Sequence, residues 1–106
     1  LKRLLSEVLD EALGVGDIEL HPRYEGGKLL ITPANPELQA KEVPIDVFFR
    51  KITTVRDKLR VLEQKVNNAE ISDGERAQWQ GYITGAYGAL KTFNFLFADR
   101  EDYFGS

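Results

Sequence analysis

The chain has 106 residues, 42% of them hydrophobic and 29% charged, with a formal net charge of −3. That length supports one domain with a single modest core, and the acidic balance argues against wholesale attraction to nucleic acid or an anionic membrane. With no cysteine in the chain, disulfides, thiol catalysis and cysteine-held zinc or iron–sulfur centres are excluded, and the composition fits a reducing cytoplasm.

No apolar run approaches the roughly 20 residues that a membrane-spanning helix needs. Residues 1–13 carry too many charges for a signal peptide. The chain opens on Leu1 rather than methionine, which suggests a processed or excised piece.

Leu1, Leu4, Leu5, Val8, Leu9, Ala12 and Leu13 fall on one helical stripe, with Glu7, Asp10 and Glu11 off it. Gly14 and Gly16 supply a stop, so residues 1–14 read as a short amphipathic helix. The pattern then switches to period two. Ile18, Leu20, Pro22 and Tyr24 alternate with charged or polar neighbours, as in a half-buried strand. Gly26-Gly27 is a hairpin signal, and as the turn it would set Glu25 against Lys28 and Tyr24 against Leu29. The stretch 37–43 reads as a third strand in preference to a helical turn. Residues 17–43 are thus expected to form a β-hairpin or three-stranded meander.

A helical hairpin follows. Ile45, Phe48, Ile52, Val55, Leu59, Leu62 and Val66 are spaced alternately three and four residues apart, a helical seam over 45–68. Pro44 suits a first turn. Ser72 and Glu75 have the capping-box spacing at the start of a second helix, 73–98. Its seam is Trp79, Ile83, Ala86, Leu90, Phe93 and Phe97. Two such seams across a short polar loop should pack antiparallel and bury their apolar side chains. The charged tail 99–106 is expected to fray, with Tyr103 and Phe104 able to fold back. The fold class is α+β, in a single domain 1–106.

Two surfaces stand out. Gly81, Gly85 and Gly88 lie inside the second long helix, where each costs up to ~1 kcal/mol relative to alanine. With Thr92 and Phe95 they form a small-residue face away from the seam. The plain explanation is that the first helix or the β-hairpin packs there. The functional one is a docking groove for a protein partner or a second copy of the chain. The other surface is basic: Lys51, Lys58 and Lys65 recur every seven residues, joined by Arg56. Between 45 and 66 there are six basic and three acidic residues. A solvated face partly neutralised by Glu7, Asp10 and Glu11 accounts for it, the alternative being contact with nucleic acid or a phosphorylated or acidic partner. Aromatics for base stacking are not interleaved with these cations.

Residues for catalysis are sparse. His21 is the sole histidine, which excludes a multi-histidine metal site, and it reads as an outward-facing strand residue. No phosphate-binding glycine loop is present. The expectation is a non-catalytic protein–protein interaction or self-association module without metal or cofactor.

Overall fold

The computed structural model describes residues 18–105. The expected first helix, residues 1–14, lies outside them. The fold is α+β: a two-stranded antiparallel sheet followed by two long helices.

The sheet is not the one that the Gly26-Gly27 pattern implies. Residues 22–24 form a 3-10 turn instead of a strand. Pro22 opens it with its fixed φ, and the His21 Nδ1 accepts a hydrogen bond from the Arg23 N–H at 3.3 Å. Local turn chemistry therefore overrides the period-two pattern. Gly26, at φ +73°, ends the turn, a conformation that favours glycine. What the segment before it pairs with is distant in sequence. Leu20 bridges Phe97, the His21 N–H donates to the Leu96 carbonyl (2.7 Å), and the Ala98 N–H donates to the Glu19 carbonyl (3.0 Å). His21 thus sits beside a turn, with its ring against Tyr24.

Strand β1, Lys28–Ile31, pairs antiparallel with β2, Lys41–Pro44, so the third strand expected at 37–43 exists only from Lys41 onward. An Asx turn at Asn35, whose Oδ1 accepts from the Glu37 N–H, occupies the start of that stretch. Lys28 faces Pro44 across the ladder rather than Glu25. Its ammonium reaches Glu42 at 3.1 Å, an exposed pair of small energetic weight.

Helix α1, Ile45–Asn68, follows β2 directly, with Pro44 as its N-cap residue. Helix α2 is Asp73–Leu90, shorter than the expected 73–98. The chain continues as a 3-10 helix, Lys91–Leu96. Phe97 then leaves in an extended conformation and is 1% exposed, its ring 5.4 Å from Phe49 and 5.7 Å from Phe104. A continued α-helix could not hold Phe97 in that cluster while also bridging Leu20.

The core comprises Phe49, Ile52, Leu96, Phe97 and Phe104, with Ile18, Leu20, Tyr24 and Tyr103 packed around it. The described part of the tail, through Gly105, folds back, with Tyr103 and Phe104 against the core. Asn94 fixes it through both amide atoms: Oδ1 accepts from the Phe104 N–H (2.7 Å) and Nδ2 donates to the Phe104 carbonyl (3.3 Å).

Candidate functional site

The closed end of the hairpin is held by backbone carbonyls that a helix C-terminus leaves unpaired. The Arg76 guanidinium donates to the carbonyls of Val66, Asn67 (2.9 Å) and Ala69 (3.0 Å). Gln80 Nε2 adds a bond to Asn67 Oδ1 (2.7 Å), and Ser72 Oγ accepts from the Glu75 N–H (3.1 Å). Charge-assisted bonds at a negative helix end are among the stronger ones. Arg76→Ala should lower unfolding free energy by about 2 kcal/mol, read by urea denaturation.

One side of the hairpin receives the tail. Arg56, expected on the basic face, is instead 4% exposed in the interior. Its Nε donates to the Asp102 carbonyl (2.6 Å), one terminal nitrogen binds Asp57 (2.6 Å), and the other reaches the Asp102 carboxylate (3.5 Å). Arg60 donates to the Glu101 carbonyl (3.0 Å). Burial pushes the Asp57 carboxyl above the ordinary range despite the attraction of Arg56, and its Oδ2 has no hydrogen-bond partner among the described residues. Beside this cluster runs an open groove of about 840 Å³, lined by Arg60, Glu63, Tyr87, Lys91, Arg100 and Glu101 among others. Burial, and secondarily Glu63, raises the Tyr87 phenol above its ordinary value. Both cations and carboxylates line the groove, so it presents no field of a single sign.

The other side of the hairpin is apolar and uncovered by any described element. Two turns separate Val55 and Leu62 on α1, and one turn separates Trp79 and Tyr82 on α2. They are 45%, 47%, 42% and 72% exposed. On α1 they sit across the helix from Arg60 and Gln64, which line the groove; on α2 they sit across from Thr84 and Lys91, which line it too. The four residues therefore share the side opposite the groove. Val55, Leu62 and Trp79 belong to the two seams, so those seams are only partly buried. The buried face of α1 carries Phe49, Ile52, Thr53, Arg56 and Val66. Lys51, Lys58 and Lys65 are exposed along the outer margin of the apolar strip.

The small-residue face is elsewhere. Gly81, Gly85 and Gly88 point away from α1, and no described atom lies within 4 Å of a Cβ built on any of them. Of the two internal partners expected for this face, the β-strands do not pack there, and the first helix lies outside the described residues. Thr92 and Phe95 do not prolong the face, because α2 has ended; the Phe95 ring instead lies edge-on to Tyr24 at 5.5 Å. With open space around it, Gly85→Ala should raise unfolding free energy by about 0.5–1 kcal/mol, visible as a higher melting temperature.

Sequence reasoning missed the roles of Arg76, Asn94 and Asp102. Arg76 and Asn94 act on backbone groups, and Asp102 offers its carbonyl and carboxylate to Arg56; tertiary folding brings these partners together, and no local pattern marks them.

Residues 15–103 match a family described as "Domain of unknown function (DUF8685)". The chain belongs to that family. No curated protein and no solved structure matches it. The matched span of the DUF8685 domain holds the sheet, both helices, the apolar strip and the tail through Tyr103, while residues 1–14 precede it. No described helix is long and apolar enough to cross a membrane.

Proposed function

We propose that this domain is a non-catalytic protein–protein interaction module that receives an amphipathic helix on the apolar side of its helical hairpin. The observation carrying this reading is the exposure of Val55, Leu62, Trp79 and Tyr82 on one side of a hairpin braced by Arg76. Contiguous apolar surface is costly to leave in water, and tryptophan and tyrosine are the side chains most enriched where binding energy concentrates. Two parallel ridges of apolar residues suit the helix-in-groove mode, read by leucines at positions i, i+3, i+4 and i+7 of the partner. Lys51, Lys58 and Lys65 on one margin favour acidic residues flanking those leucines. In this reading the lysine row recognises protein carboxylates, and Arg56, being internal, has no part in it. The partner is another protein of a reducing compartment such as the cytoplasm, or a second copy of the chain.

Parallel variants test the assignment. Leu62→Asp should abolish capture of the partner from native extract while leaving the melting temperature nearly unchanged, because Leu62 is half exposed. Gly85→Leu should retain it. The opposite result would move the docking surface to Gly81, Gly85 and Gly88, and retention by both variants would remove both helix faces from consideration.

A further inference from the structure

We infer that the helix docked on the apolar side of the hairpin belongs to a different protein and carries a carboxylate at every seventh position, opposite Lys51, Lys58 and Lys65. This rests on the docking reading above and names the occupant of that surface.

The seam of α1 has heptad order. Ile45, Ile52, Leu59 and Val66 take position a, and Phe48, Val55 and Leu62 take position d. Burial divides the seam unequally. At position a, Ile52 and Val66 are 6% and 4% exposed. At position d, Phe48 meets Phe93 edge-on at 5.3 Å, but Val55 and Leu62 are 45% and 47% exposed. Position e is already engaged: Phe49 lies in the core, Arg56 holds the tail, and Glu63 lines the groove. Position g is Lys51, Lys58 and Lys65, all exposed. The open arc of α1 therefore runs from d to g. A further helix completes a coiled-coil contact along that arc, with its leucines against Val55 and Leu62.

In such a contact the flanking charges choose the partner. None of the three lysines makes an ion pair among the described residues. They repeat about every 10 Å along the axis, so an opposing helix answers all three by repeating a carboxylate with the same period.

A second copy does not supply that pattern. Laid antiparallel on its own copy, α1 opposes position g to position g, and the lysine rows repel. Laid parallel, it needs position e, which is engaged. On α2 of a copy the corresponding positions are Glu75, Tyr82 and Ala89, one carboxylate for three ammoniums. The occupant is thus a helix of another protein, with leucines on its seam and glutamates or aspartates along the margin facing α1.

Two labelled three-heptad peptides test this, each with leucine at a and d. One carries glutamate at both e and g, the other lysine. Charge on both margins serves either direction of docking, and its self-repulsion opposes pairing of the peptide with itself. Fluorescence anisotropy with the full chain should show the glutamate peptide binding at least about tenfold more tightly, since the lysine peptide replaces three ion pairs by repulsion. High salt should shrink that preference. Lys51→Glu with Lys58→Glu and Lys65→Glu should invert it, and Leu62→Asp should abolish binding of both peptides. Sedimentation of the chain alone should show a monomer.

Equal binding of the two peptides, both lost in Leu62→Asp, would overturn the acidic partner and leave the docking surface standing. Failure of both to bind would overturn it too, while loss of native capture in Leu62→Asp would still support the surface. Peptide binding untouched by Leu62→Asp would overturn both readings. A dimer of the chain that Leu62→Asp dissociates would assign the surface to a second copy and overturn the foreign helix.

Discussion

Phe104→Ala is expected to destabilise the domain by about 3–5 kcal/mol, the usual cost of truncating a fully buried phenylalanine. The ring is 1% exposed and contacts Phe97 and Tyr87. Stability of a domain this size is only about 5–15 kcal/mol, so the variant should unfold at much lower urea concentration or fail to accumulate folded. The effect should exceed that of Tyr82→Ala, at a larger but exposed ring, by several kcal/mol on the same transfer and cavity grounds. Equal effects at the two positions would mean that the tail does not complete the core. Deleting residues 104–106 should reproduce most of the loss.

Removing Arg56 should be about as damaging. Arg56→Ala leaves the Asp57 carboxylate and the Asp102 carbonyl without their buried donor, and breaking a buried ion pair from one side costs about 3–5 kcal/mol. The loss should depend on pH in a defined direction. Burial already holds the Asp57 carboxyl above the ordinary range in the folded state, and Arg56 is the leading influence opposing it. A group with a raised folded value contributes most to stability below its unfolded value near 3.8, and that contribution is lost as pH rises through the folded value. The deficit of Arg56→Ala should therefore be largest at neutral pH and shrink in acid, as Asp57 takes up its proton. Asp57→Asn in the Arg56→Ala background should recover part of the stability at pH 7 and flatten the pH dependence. A deficit constant from pH 4 to 7 would refute this account of Asp57.

Both positions were hard to read in the chain. In the sequence Arg56 is one more cation in a basic helix, and nothing local distinguishes it from Lys58. The difference is made by Asp102, 46 residues away, which tertiary folding places over it. Phe104 follows a run of charged residues that resembles a fraying end; the aromatic pair Tyr103-Phe104 is the one local signal of its return. The docking of the tail through Asn94 involves backbone groups of Phe104, which have no sequence signature at all.

Period three-and-four hydrophobicity, the proline at the start of α1 and the serine cap of α2 act within a few residues. They fixed the helical hairpin, its closed end and the α+β class from sequence alone. Heptad spacing also revealed the seams, but not how far each would be buried. Only the tertiary structure decided that, by turning α1 so that Arg56 meets the tail and leaving Val55, Leu62 and Trp79 toward water. It also decided the strand pairing, since the turn at 22–24 and the bridge from Leu20 to Phe97 outweighed a hairpin that local pattern favoured. Short-range rules chose the elements, whereas burial and long-range hydrogen bonding chose which faces stayed open.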